Sequence, residues 1–225
     1  MSAVYVFALV DAKTAPLHVA GHTIEFLGVP GADGIYSAVE RVDGRPAPSE
    51  ETLRAQHEVV VAIARQVDAV LPARFGSLLD RGELERVVTL RRAAILESLD
   101  LVRGRVQMTA RLFTSHPQAA GAEVAPAPPR ATSGTGYLQQ RWHAAAVRAR
   151  PNGILDFTAA LRGIAVAERF EAGRGVLATT VYHLIDRGGV AKYNRALAKL
   201  RSRLMPQLLT VSGPWPPFAF VPDLF

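Results

Sequence analysis

The chain of 225 residues contains no cysteine. Thiol nucleophiles, thiolate metal centres and a disulfide framework are excluded at once, and a reducing compartment is compatible with that absence. No run of apolar residues approaches the roughly 20 that a membrane-spanning helix needs. The apolar opening, Met1 to Val10, lacks the basic start and cleavage site of a secretory signal. A cytoplasmic protein that does not enter a membrane is expected. Lysine is scarce, 3 against 23 arginines, which reads as whole-chain composition rather than as the signature of a site.

Motifs of common chemistries are lacking too. Ser133-Gly134-Thr135-Gly136 and Gly173-Arg174-Gly175 are glycine-rich, but neither carries the lysine and hydroxyl that complete a phosphate loop. Neither joins a strand to a helix as a dinucleotide fingerprint does. There is no nucleophile elbow, no Ser-x-x-Lys and no kinase signature. His18 and His22 are four apart, yet Gly21 lies between them in a turn leading into a strand, where that spacing does not put two ligands on one face. His57, His143 and His183 stand singly, and Asp156, Glu168, Glu171 and Asp186 do not pair on one helix face. No acid, base or metal set converges, so the expectation is a protein that is not an enzyme and has no cofactor.

What is present begins with an uneven charge. Residues 1–50 carry three basic and six acidic side chains, net −3; residues 51–100 carry seven and eight, net −1; residues 101–225 carry sixteen and six, net +10. The asymmetry points to two regions, the second facing an acidic partner. At this length the chain buries roughly 70% or more of its unfolded surface and needs no metal staple.

Hydrophobic patterning gives an α+β chain. Ala3 to Val10 is short and rich in β-branched and aromatic residues, a buried strand. His22 to Val29 and Ile35 to Val42 are two further strands, with hairpin turn chemistry in Gly31-Ala32-Asp33-Gly34. Ser49 is an N-cap for an amphipathic helix over 50–67, with Thr52 where a capping box favours Glu. Ala69 to Gly76, interrupted by Pro72, fits an edge strand or tight crossover. One helix is expected over 83–99.

From there the order is a strand at 105–113, a low-complexity loop at 116–135, a helix at 137–150, a short helix at 154–162, strands at 165–171 and 176–185, a helix at 188–204 and a strand at 207–212. Strand, helix, strand, strand, helix, strand is the ferredoxin-like split βαβ unit. Two domains are expected: residues 1–103, α+β, and residues 104–225, a modified ferredoxin-like (βαββαβ) domain with an extended tail at 213–225.

Two features of the second region point outward. Lys192, Arg195, Lys199 and Arg203 recur on the helix face opposite Val190, Tyr193, Leu197, Leu200 and Leu204, a solvated face or a dock for an acidic partner. The tail Gly213-Pro214-Trp215-Pro216-Pro217-Phe218-Ala219-Phe220 combines three prolines, which remove backbone donors, with aromatics that seek burial. Trp215 and Phe218 are expected to anchor this tail to the protein body, and Phe220 to Phe225 to meet a partner. A basic ferredoxin-like unit also raises an RNA-recognition module, but the strand Val176 to Ile185 offers only Tyr182 for base stacking, and no basic-Gly-aromatic run exists.

Three segments together resemble the gas vesicle accessory proteins of the F and L type: Leu71-Pro72-Ala73-Arg74-Phe75-Gly76 after the helix holding His57 and Glu58, Gly136-Tyr137-Leu138-Gln139-Gln140-Arg141 after the variable loop, and Gly213-Pro214-Trp215-Pro216-Pro217-Phe218. The opening strand Val4-Tyr5-Val6-Phe7 is similar as well. The resemblance implies a part in building gas vesicles: binding the small hydrophobic shell protein, with other accessory proteins as further partners, and location at the vesicle. It also implies two α+β domains, the second a modified ferredoxin fold. Leu71, Pro72, Arg74, Phe75, Gly76 and Tyr137 read as structural motif positions, in turns and a helix start anchored by aromatics.

Overall fold

The computed structural model describes residues 3–113, 159–173, 177–201 and 209–222. The loop at 116–135, the helix at 137–150 with Tyr137, Arg174 and Gly175 of the expected hairpin turn, Arg203 and Phe225 lie outside the described residues. The chain divides into two compact units, Met1–Val106 with Trp215–Phe225, and Gln107–Pro214. The tail, expected with the second domain, thus joins the first unit from Trp215 onward.

The first unit is built on β1 (Ala3–Val10). Around it lie β2 (Leu17–Val19), β3 (His22–Gly28), β4 (Tyr36–Val42), β5 (Val70–Pro72) and β6 (Leu78–Asp80) in the order β2-β3-β4-β1-β5, with β6 also on β1. β1 is covered on both edges. β4 runs antiparallel along one side, while β5 pairs with Ala8 to Val10 and β6 with Ala3 to Tyr5 on the other. Side chains of a strand alternate between the two faces, so the unbroken burial of Val4 to Val10 means that both faces of β1 are covered as well, and the strand reads as a continuous apolar run. Pro72 closes β5 at the end of the sheet order, where a missing donor is tolerated.

α1 (Glu50–Ala64) starts at a full capping box. The Thr52 N–H donates to Ser49 Oγ at 3.1 Å, and the Ser49 N–H donates to Thr52 Oγ1 at 3.0 Å. Thr52 therefore does the work usually given to Glu. Val59, Val60 and Ile63 are buried with Tyr5, Phe7, Ile24 and Phe26 in one core; each such side chain contributes about 1.5–3 kcal/mol.

The single helix expected over 83–99 is two: α2 (Arg81–Leu90) and α3 (Arg92–Val102). The buried positions explain the break. Leu84, Val88, Ile95, Leu99 and Val102 are buried, and an unbroken helix would put Arg91 on that same stripe. Arg91 leaves the helical region at φ −101, ψ 10 and is exposed.

β2 was not expected. It pairs with β3 across a two-residue turn in which Ala20 (φ 53) and Gly21 (φ 79) both have positive φ, the geometry of a type I′ hairpin.

The second unit holds β7 (Arg105–Phe113), β8 (Ala165–Ala172), β9 (Leu177–Asp186), α4 (Val190–Arg201) and β10 (Leu209–Trp215). Its sheet order is β10-β7-β9-β8, and β8 pairs antiparallel with β9. A 3-10 turn, Arg187–Gly189, leads into α4. β10 extends past the expected end at Ser212 through Gly213 and Pro214 to Trp215. Its place at the end of the sheet order admits the proline. The protein is thus α+β with two sheets.

Candidate functional site

The Leu71–Gly76 segment is a hydrogen-bonded bracket between β5 and β6. Tyr5 Oη donates to Gln56 Oε1 at 2.5 Å and accepts from the Gly76 N–H at 2.9 Å. Gln56 Nε2 donates to the Ala73 carbonyl at 3.1 Å, and the Ala73 N–H to the Phe7 carbonyl at 2.8 Å. Phe75 lies edge-on to Tyr5, ring centroids 6.4 Å apart. Burial pushes the Tyr5 phenol up, with the Gly76 N–H pulling the other way. Gly76 sits at φ +83, a conformation that favours glycine. Leu71 and Pro72 are buried, and the Arg74 side chain is exposed. The segment's visible role is to lock the turn onto β1 and α1.

The tail departs from expectation at Phe220, which is 2% exposed rather than free for a partner; Trp215 and Phe218, expected as anchors, rest on His57 of α1 and remain 36% and 38% exposed. The reason is a 3-10 turn over Phe218–Phe220. Successive residues of such a turn rotate by about 120°, so Phe218 and Phe220 point in different directions. The prolines supply its acceptors: the Phe220 N–H donates to the Pro217 carbonyl at 3.0 Å and the Phe218 N–H to the Pro216 carbonyl at 2.8 Å. The turn packs against β5. The Phe218 ring stacks on His57 of α1 at 5.7 Å and 22°, and Trp215 meets the same imidazole edge-on at 5.4 Å and 67°.

α1 also carries a charged face, turned away from Leu53. An open depression of about 400 Å³ is lined by Glu50, Glu51, Arg54, Ala55 and Glu58. Arg54 pairs with Glu50 at 2.7 Å. Leu53, one turn before His57, is 50% exposed.

In the second unit, Lys192, Arg195 and Lys199 are exposed on α4, and Tyr193, Leu197 and Leu200 are buried on its other face. Tyr193 Oη lies 2.9 Å from His183 Nδ1, and Glu168 Oε1 lies 3.8 Å from His183 Nε2. Glu168 and His183 are direct partners across β8 and β9. Burial pulls the His183 imidazole down to about 3 and pushes Glu168 and Tyr193 up, so all three favour their neutral forms. Among the described residues no group of three or more His, Asp or Glu is placed to hold a metal ion. His18 and His22 face different partners: His18 Nδ1 lies 3.1 Å from Thr23 Oγ1 and His22 Nδ1 2.6 Å from Glu40 Oε2.

Sequence reasoning missed His57 as the meeting point of the tail aromatics. The signal available was its place in the helix just ahead of the Leu71–Gly76 motif, without any sign of a contact across some 160 residues of chain.

A family model described as gas vesicle synthesis protein GvpL/GvpF matches residues 3–222. The crystal structure of the gas vesicle protein GvpF from Anabaena sp. PCC7120 is similar with a TM-score of 0.70 at 13% identity, over 99% of this chain and 97% of that one. GvpF from Microcystis aeruginosa is similar with a TM-score of 0.70 at 13% identity, over 97% of this chain and 98% of that one. At such identity these likenesses speak to the fold. No curated protein matches the chain.

Proposed function

The chain belongs to the gas vesicle synthesis protein GvpL/GvpF family, and from that membership we propose that it acts in gas vesicle formation by binding the small hydrophobic shell protein, without catalysing a reaction. The observation that carries the reading is the extent of the family match, residues 3–222, which takes in both units rather than one module. Its place of action is the cytoplasm, at the growing vesicle, with other gas vesicle accessory proteins as further partners. No helix among the described residues is long and apolar enough to cross a membrane.

The physical need is plain. A shell subunit destined for an apolar wall exposes strand edges and apolar area before assembly, and a helper shields them by adding a strand or covering the apolar area. Two features support such a role. β8 stands at the end of its sheet order, with Val166 47% exposed. The α4 face of Lys192, Arg195 and Lys199 offers positive charge to an acidic flank of the partner. We read the second unit as a modified ferredoxin-like domain; the order β10-β7-β9-β8, with α4 between β9 and β10, supports that reading. The nucleic-acid reading gains no support: Tyr182, the aromatic available on β9, donates its hydroxyl to the Glu171 carboxylate at 2.6 Å.

The test is a pull-down of purified shell protein with the full chain. The expected result is capture by the native chain and loss of capture when Lys192, Arg195 and Lys199 are each changed to Glu. Absence of capture by the native chain would overturn shell binding; unchanged capture by the variant would overturn the α4 surface alone.

A further inference from the structure

Among the described residues β8 pairs along one edge alone, with β9, and ends the sheet order β10-β7-β9-β8. Its register is regular from Ala167, opposite Leu184, to Ala172, opposite Thr179. An edge strand of this kind turns a row of backbone N–H and C=O groups outward, a template for one more strand. Val166, just before the regular stretch, is the extra residue of a bulge and is 47% exposed.

Glu168 stands within this stretch. Glu168 and Phe170 lie opposite His183 and Val181 and share their face of the sheet, the face on which Tyr193 of α4 meets His183. Arg169, the next residue, points to the other face. The Glu168 side chain is only 23% exposed, and His183 Nε2 lies 3.8 Å from its Oε1. Burial keeps both His183 and Tyr193 neutral, and no lysine or arginine among the described residues pairs with Glu168. Burial accordingly pushes its carboxyl up. A half-buried carboxylate without a cation is costly. On an edge strand it also rejects an apolar strand, whose approach would bury the acid further. A strand that brings the missing cation removes the penalty.

We propose that the outer edge of β8 accepts an extended segment of a partner protein that sets a lysine or arginine opposite Glu168 and an apolar side chain two residues on, opposite Phe170. Directly opposite residues of neighbouring antiparallel strands bring their Cβ atoms within about 4.5–5.5 Å, close enough for a charge-assisted hydrogen bond to Glu168. As in the shell-binding reading, on which this rests, β8 is the pairing edge; what is added is the side chain that the edge selects. A second copy of β8 matches less well. Paired antiparallel about Glu168, two copies set carboxylate against carboxylate; paired about Phe170, they leave Glu168 facing Ala172, still without a cation.

The probe is a short synthetic peptide that alternates valine and threonine about one central arginine, with valine two residues to either side of it. Matched peptides carry glutamate or valine in place of the arginine. Binding to the full chain is followed by fluorescence anisotropy of the labelled peptide, and the site by amide hydrogen exchange. The expected result is saturable binding of the arginine peptide alone, with slowed exchange at amides of residues 167–172. Glu168→Gln weakens it by about tenfold or more, the scale of one hydrogen bond to a charged group. Glu168→Lys transfers the preference to the glutamate peptide; should that variant fold poorly, the nearly isosteric Glu168→Gln carries the test. Four results would each overturn the proposal: no binding of the arginine peptide, equal binding of the three peptides, unchanged affinity in Glu168→Gln, or exchange in β8 that the peptide leaves unaltered. The shell protein is absent from this assay, so peptide binding without shell capture would overturn the shell reading alone, and shell capture without peptide binding the edge selection alone.

Discussion

The Tyr5 hydroxyl and the Gln56 side chain, on β1 and α1 and 51 residues apart, meet at 2.5 Å in the buried interior of the first unit. Around this contact the structure closes a small polar network, Gln56 to the Ala73 carbonyl and the Gly76 N–H to Tyr5. A strand, a helix and a turn are fixed to one another by groups whose hydrogen bonds are satisfied mutually, which in an apolar core makes each member expensive to remove.

Tyr5→Phe removes the hydroxyl and leaves Gln56 Oε1 and the Gly76 N–H without it. The expected loss is about 1–3 kcal/mol, the cost of a buried polar group left unsatisfied. A urea denaturation midpoint that falls at unchanged slope checks it; an unshifted midpoint would mean that the network contributes nothing.

Gly213 belongs to the terminal motif for a packing reason. It has φ +121, and a Cβ there would lie 2.8 Å from the Gln107 carbonyl oxygen and 3.0 Å from Met108 Sδ. Gly213→Ala therefore costs backbone strain plus displacement of β10 from β7, about 2–4 kcal/mol in all. Gly44→Ala, with nothing within 4 Å and no positive φ, is the control and shifts the melting temperature little.

Phe220→Ala and Phe218→Ala separate anchor from surface. Truncating the buried ring is expected to cost about 3–5 kcal/mol, whereas the exposed Phe218 costs at most about 1 kcal/mol. Thermal unfolding of the two variants side by side decides the matter, and equal losses would contradict the burial pattern.

Acid should weaken the fold through His183. In the folded chain burial holds its imidazole down to about 3, so it stays neutral, while the unfolded chain takes up a proton near 6.5. The unfolded state then binds more protons below that pH, and stability falls on acidification by up to about 1.4 kcal/mol per pH unit. Glu168, facing His183 at 3.8 Å and pushed up by burial, acts in the opposite sense. It stays protonated in the folded chain at a pH where the unfolded chain has released its proton, which flattens the slope toward the carboxylate range. Denaturant midpoints between pH 7 and 5 should fall for the native chain and fall less steeply for His183→Gln. Identical slopes would remove His183 from the account.

Elements with a strong period were legible: β1, β3, β4, α1, β7, β8 and β9 lie within a few residues of where alternation or helical spacing puts them. Short elements were not. β2 and β6 have three residues each, too few for any period, and the Ala20-Gly21 turn lacks the usual Asn or Asp. The break at Arg91 was hidden because 84, 88, 95 and 99 keep helical spacing straight through it. The tail misled because 3-10 geometry, not residue type, decides which aromatic points inward.

By itself the sequence determined the α+β character, the helix start at Ser49, the glycine positions of its motifs and the likeness to a gas vesicle family, since each rests on local propensity or on residues in order. Tertiary structure alone decided that Tyr5 reaches Gln56, that the tail joins the first unit, and that His57, Trp215 and Phe218 share one face. Those are contacts between residues far apart in the chain, set by how sheets and helices fill space, and no local pattern carries that information.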